Sequence, residues 1–273
     1  MADELSRREL AAFLRSRRTG LDRARLGLPG PPRSRAPGLR REEVAAISGV
    51  SVTWYTWLEQ ARPTANPSRQ VLDALGTALQ LTAAERDYLM SLAGFTARSP
   101  GPVRADASAL QQRLLDALPE SPAFALRPDW SISAWNRAYQ ALYPAVASTA
   151  QPNLLWAVFT DPFVRRLLPD WEVTSRHFLA EFRAEAGPRL GQPEFRTLVQ
   201  RLRRASAEFR QGWTAHPVAG FTSRRRSFLT TAGRLEFDHH RLAPDDQRDL
   251  HLVIYTPVDA RTTRRLRRLS RDS

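Results

Sequence analysis

Apolar positions recur three and four residues apart through much of residues 4–93, the spacing that gathers them on one face of an α-helix. Residues 4–18 carry Leu5, Leu10, Phe13 and Leu14 as such a face. Residues 40–48 and 51–60 predict two short helices parted by Gly49. A further helix opens at Ser68 and keeps Val71, Leu72, Leu75 and Leu79 as its stripe. Thr82 and Glu85 have the spacing of a capping box, in which hydroxyl and carboxylate each take a free amide at a helix start. That helix runs to about Ala93, with Gly94 as its stop. Residues 19–39 break the pattern with Pro29, Pro31, Pro32 and Pro37, and predict an extended arm or loop. The sum is a compact all-α domain over residues 1–96.

The pattern then changes. Pro100, Gly101 and Pro102, among small residues, predict a linker over 97–107. Residues 121–135 predict two short strands around a turn at Pro128-Asp129, and Asn136 is placed to cap a helix holding Tyr139 and Leu142. The apolar run 154–159 predicts a buried short helix, and Pro162 starts another. Helices are expected at about 170–186, 193–204 and 205–213. Strand-like runs follow at 222–230, 233–240 and 250–256, with Gly233 at the hairpin between the first two. The fold class is therefore α plus α+β: an all-α domain, then a mixed domain over 108–273 with an antiparallel sheet of about five strands covered by helices.

Composition changes the picture in two ways. The net charge of +13 and pI near 11.3 favour a polyanionic partner, nucleic acid before anionic membrane. Every one of the 41 basic residues is Arg, a bias of codon usage whose physical result is a planar fork able to grip phosphate or a guanine edge. No Cys is present, which removes thiol chemistry and Cys-type zinc sites, and the five His at 177, 216, 239, 240 and 251 have no metal-ligand spacing. Metal, cofactor and catalytic residues are accordingly expected to be none. No stretch has a signal-peptide core or the length of a membrane span, so a soluble cytoplasmic protein is expected.

The segment Arg40–Glu59 has the requirements of a helix-turn-helix. Ala45 is small where two helices touch, and Gly49 tolerates the positive φ of the turn. Val44, Val50, Tyr55 and Leu58 fall at inward positions, and Ser51 is a natural N-cap for the second helix. Ser48 stands where an aliphatic side chain is usual. In the major groove the second helix offers Val52 and Thr53 to thymine methyls, and Thr53 or Thr56 to a base or phosphate. Trp57 lacks bidentate hydrogen bonding and is expected against sugar-phosphate or its own domain. Residues 13–41 hold nine Arg against the single acid Asp22, a local charge of +8. This suits phosphate neutralisation by Arg40 and Arg41, with Arg33 or Arg35 in a minor groove. A solvated basic arm, or one docked on an acidic protein, is the plainer alternative. Arg62, just past the second helix, completes the candidate DNA-binding set with Ser51.

The stretch from Pro37-Gly-Leu-Arg-Arg-Glu-Glu-Val-Ala to Gly49-Val-Ser-Val-Thr-Trp-Tyr-Thr-Trp-Leu-Glu-Gln60 resembles the XRE-type regulators of the MmyB-like subfamily. Trp57 takes the place of a usual Arg, and Ala61 that of the usual Gly, which strains a left-handed turn at the helix end. The resemblance continues through PAFAL, WSISAWNRA, NLLWAVFTDP, LPDWE, RAEAG, SAEFRQGW, LEFDHHRL and LVIYTP, so it covers about residues 5–269. It implies a lambda-repressor-like first domain and a PAS-like ligand-binding domain that takes a fatty-acyl or similar apolar ligand.

The residues themselves supply aromatic mass for such a pocket in Phe124, Trp135, Leu154, Trp156, Phe159 and Phe163, although ordinary core packing explains any one of them. Arg127, Arg137, Arg224, Arg225 and Arg226 are all candidates to meet a ligand head group, with nothing to choose among them. The expected function is a sequence-specific DNA-binding regulator, a homodimer on a double-stranded operator, that senses a small apolar molecule. The alternative is a regulator whose C-terminal domain only dimerises or docks a protein. Enzyme chemistry at Asp238-His239-His240 and Asp245-Asp246 lacks a nucleophile partner, and these are expected to be surface polar residues.

Overall fold

Five helices form where the apolar spacing places them: α1 (Glu4–Gly20), α2 (Arg41–Ser48), α3 (Val52–Glu59), α4 (Arg69–Ala78) and α5 (Ala83–Leu92). A computed structural model describes residues 4–28, 38–95, 107–244 and 250–271. The proline arm with Arg33 and Arg35, the linker short of Ala107, and Asp245-Asp246 lie outside the described residues. Polar caps fix the helix starts. Ser51 accepts from the Trp54 amide at 3.1 Å, Ser68 from Val71 at 3.3 Å, and Thr82 and Glu85 exchange bonds as a capping box. Part of the stretch expected to be irregular forms a 3-10 turn over Arg23–Leu26, started by the Asp22 carboxylate on the Ala24 amide.

After these come α6 (Ala107–Asp116), β1 (Ala123–Leu126), β2 (Ile132–Trp135), α7 (Arg137–Leu142), α8 (Ala145–Ser148), α9 (Leu154–Thr160), α10 (Pro162–Leu167), α11 (Trp171–Ala186), α12 (Pro193–Ala205), α13 (Ala207–Thr214), β3 (Arg224–Thr230), β4 (Gly233–Leu242), β5 (His251–Pro257) and α14 (Ala260–Arg271). The chain divides into two compact units. One gathers Met1–Ala97, Arg183–Thr197 and Gln211–Gly220, and the other Arg98–Phe182, Leu198–Arg210 and Phe221–Ser273.

The first unit is closed around Leu10, Phe13, Leu14, Val44, Tyr55, Leu58, Leu72, Leu75, Tyr88 and Leu89, all almost fully buried. Arg183 reaches into it with no exposed side-chain surface. Its guanidinium donates to the Glu9 carboxylate and to the Trp213 carbonyl, and lies over the Trp213 ring at 3.7 Å. Glu9 also accepts from the Tyr88 hydroxyl at 2.8 Å and meets His216 Nδ1 at 3.1 Å. Gly187 packs so tightly on Tyr88 that a β-carbon there would sit 2.6 Å from the ring. Segments late in the sequence thus complete the core of the helices at its start.

The second unit holds a five-stranded antiparallel sheet of order β2-β1-β5-β4-β3. Strand alternation and register put two sets of side chains on opposite faces. One face carries Ala123, Ala125, Ala134 and Leu252 against Leu115 of α6. The other carries Phe124, Phe228, Phe237 and Tyr255, in ring contact at 5.3–6.3 Å. Asn136 joins the first strand to the helices. Its carboxamide oxygen accepts from Ala123 and Tyr139 and its NH2 donates to Leu115, Leu118 and Ser121, so a buried side chain is fully satisfied.

Candidate functional site

α3 turns away from α2 through Gly49, whose φ of +70 is the left-handed value the turn needs. Tyr55, Leu58 and Glu59 point inward and are buried. Ser51, Val52 and Thr53 are exposed, Val52 at 40%, and Thr56 is half-buried beside them. The N-terminal turn of α3 therefore presents one polar and apolar edge to solvent, which is the end of a recognition helix that meets base edges. Ser48, the departure from an aliphatic residue, donates its hydroxyl back to the Val44 carbonyl at 2.6 Å. Trp57 is 37% exposed and carries the Arg62 guanidinium 5.9 Å above its ring, while Arg62 Nε donates to Gln60.

Much of the arginine charge nearby is already paired. Glu59, buried at the end of α3, accepts from Arg18 at 2.5 and 3.0 Å and from Arg41 Nε at 2.7 Å. Burial raises its carboxyl pKa, but the hydrogen bonds from Arg18 and Arg41 outweigh this and hold it below the ordinary value. Glu43 grips Arg23 at 2.5 and 2.6 Å, and Glu85 meets Arg17 at 3.1 Å. The local charge of +8 counted along 13–41 is thereby corrected: acids beyond that window fold back onto it. Arg40 is exposed, since Glu43 takes its backbone N–H at 2.7 Å rather than capturing it inside. Arg40→Ala is expected to weaken binding to all DNA sequences alike and to flatten the log–log salt dependence by ~1. Equal salt slopes for the two proteins would remove its phosphate role.

Ala61 adopts a φ of +56 at the end of α3. Its amide donates to Leu58 and that of Arg62 to Trp57, which ends the helix in a left-handed cap. A β-carbon in this conformation costs ~1–2 kcal/mol, partly offset by the freedom glycine gains when unfolded. Ala61→Gly should therefore raise stability by ~0.5–1 kcal/mol in chemical denaturation, with DNA affinity unchanged.

In the second unit the candidate pocket residues separate into groups. Phe124 is fully buried on the inner sheet face and stacks near Tyr139 at 4.4 Å. Tyr139 leads to Tyr143, and Tyr143 to Phe163, which is 40% exposed. Phe159 packs elsewhere, between Trp171 and Phe209. Trp156 lies half-buried under Arg201, and Leu154 and Trp135 are also half-buried. Sequence spacing missed Trp130, whose ring is buried edge-on between Phe178 and Phe182, with φ at +62. A positive φ on a bulky residue is costly and marks a turn held by its surroundings.

The arginines expected near a ligand also separate. Arg127 and Arg137 are exposed, Arg225 pairs loosely with Asp238, Arg224 binds Glu181 at 3.0 Å, and Arg226 is 5% exposed. His239 is corrected from a surface to a core residue. It is 3% exposed and stacks on Tyr255 at 4.9 Å, because odd positions of β4 face inward, while His240 on the opposite face bonds Thr256.

Residues 107–269 match the family model of the MmyB-like transcription regulator ligand binding domain. The chain belongs to this family. Residues 9–89 of this MmyB-like regulator match a helix-turn-helix domain model, which spans α1 to α5 almost entirely. No well-characterised protein matches the chain as a whole. The MmyB-like regulator is thus a DNA-binding transcription regulator with a ligand-binding domain, and both of its matched families are regulatory rather than enzymatic. Among its described residues no helix is long and apolar enough to cross a membrane.

Proposed function

We propose that this regulator is a one-component sensor: a PAS-like C-terminal domain binds a small apolar, fatty-acyl-type ligand, and occupancy changes the affinity of α3 for its operator. In this reading residues 1–96 bind DNA as a cytoplasmic homodimer, 97–107 link, and 108–273 bind ligand. Ser51, Val52, Thr53 and Thr56 meet base edges. Arg40, Arg41 and Arg62 lie along the phosphates with Trp57, and Arg33 and Arg35 enter the minor groove.

One observation carries the coupling. Residues 183–197 and 211–220 lie within the stretch matched by the ligand-binding family, yet they belong to the compact unit that holds α3. Any ligand that reshapes those segments acts on the core beneath the DNA-reading helix. The aromatic interior around Phe124 supports an apolar ligand. The test is operator affinity measured with and without a series of saturated fatty acids. A shift of ~5–150-fold is expected, and the operator must change ligand affinity by the same factor. No shift across the series defeats the sensing half.

Leu110 and Leu114 on α6 are 60% and 49% exposed, one turn apart, and favour a second reading in which this domain dimerises or docks a protein. Solvent extraction of purified protein separates the two, since only the sensor carries lipid.

A further inference from the structure

β3 and β4 bring an unusual set of groups onto the inner sheet face. Register pairs Arg224 with His239 and Arg226 with Phe237, and β5 pairs Tyr255 with His239. Arg226 is 5% exposed. Its Nη1 lies 3.4 Å from the Thr174 hydroxyl and its guanidinium 4.7 Å from the Phe178 ring. Its Nε and Nη2 are buried with no hydrogen-bond partner. Those two N–H groups form one edge of the guanidinium, the edge that takes a carboxylate through two parallel bonds. His239 Nδ1 is buried and unpartnered as well.

A buried cation normally has an anion beside it, because an unpaired one is expensive. Glu181 on α11 is engaged by Arg224. Burial, then Arg226 and Arg241, push the His239 pKa down to about 2, so the imidazole is neutral and offers a donor without adding charge. The inner face therefore carries an excess of positive charge beside aromatic walls, and two kinds of N–H donor free to meet a negative group.

We propose that Arg226, with His239, receives the head group of the ligand, and that the ligand is an apolar molecule ending in a single carboxylate. This rests on the sensor reading above and deepens it. Arg226 Nε and Nη2 grip the two oxygens, His239 adds a third donor, and the chain runs toward the ring cluster of Phe124, Phe228 and Tyr255. The same charge left unpaired makes the empty domain less stable than it would be with an apolar side chain at position 226.

The experiment compares dodecanoate with dodecanol by titration calorimetry on the full-length protein. The wild type is expected to prefer the acid by about thirtyfold or more, the loss that follows when a buried charge pair lacks one partner. Arg226→Met should abolish the preference and leave the ligand-free protein melting at the same or a higher temperature. Arg226→Lys should keep part of the preference, since it keeps the charge and loses the fork. Should Arg226→Met fail to fold, Arg226→Gln gives the same comparison, and the wild-type acid-to-alcohol ratio decides without any variant. Equal binding of acid and alcohol overturns the anchor and leaves the apolar-ligand reading intact. Binding of neither probe removes that reading and the anchor with it. A preference retained in Arg226→Met, with a lowered melting temperature, assigns Arg226 a purely structural role.

Discussion

Arg183→Ala is expected to destabilise the DNA-binding unit by ~3 kcal/mol, read as a loss of denaturation midpoint. The cause is not the loss of one bond. Arg183 has no exposed side-chain surface, and its removal leaves the Glu9 carboxylate, 14% exposed, facing only Tyr88 and His216. Breaking one side of a buried ion pair costs more than replacing both, so Glu9→Gln combined with Arg183→Met should recover most of the loss. The network also has a pH signature. Burial raises the Glu9 pKa, but His216, Arg183 and Tyr88 outweigh it and hold it below the ordinary 4.5. A carboxylate depressed in the folded state adds stability above its unfolded pKa and loses it as pH falls through the folded one. Wild-type stability should therefore fall below about pH 4.5 more steeply than that of Glu9→Gln, in thermal melts across that range. Parallel curves would show that Glu9 is not held as described.

Val52→Glu should lower operator affinity about ten- to a hundredfold, the worth of a good base contact, with added repulsion from the phosphates. Val52 is 40% exposed at the first position of α3, where a carboxylate suits the helix N-terminus, so folding stability should move by under ~0.5 kcal/mol. Thr53→Ala is the gentler companion and should relax sequence preference rather than abolish binding. A Val52→Glu protein that holds its operator as the wild type does would mean that this end of α3 does not enter the groove.

Features set by local chemistry were legible in the sequence. Gly49, Ser51, Thr82 with Glu85, and Asn136 each do in the structure what their type and spacing require, because a cap or turn is decided within a few residues. Strand periodicity likewise gave β3, β4 and β5. What stayed hidden depends on distance along the chain or on composition. Glu9 and Arg183 are 174 residues apart, and no window of sequence pairs them. Glu59 neutralises Arg18 and Arg41 from outside the basic stretch, so counting charge locally overstated what is free for phosphate. Helix α14 escaped prediction because its six arginines drown a narrow apolar stripe of Leu266 and Leu269, with Thr262 buried beside it. His239 looked like a surface residue next to His240 until the register placed it inward. At the ligand site, aromatic residues were visible as a class. Choosing among five arginines required burial, which only the folded sheet supplies.

The most direct test of the whole account is to incubate the full-length protein with fragmented genomic DNA at near-physiological salt and sequence what it retains. The account predicts a shared motif among the recovered fragments, with half-sites about one helical turn apart, that Val52→Glu no longer enriches. Retained fragments with no common sequence, or the same motif recovered by that variant, would contradict it.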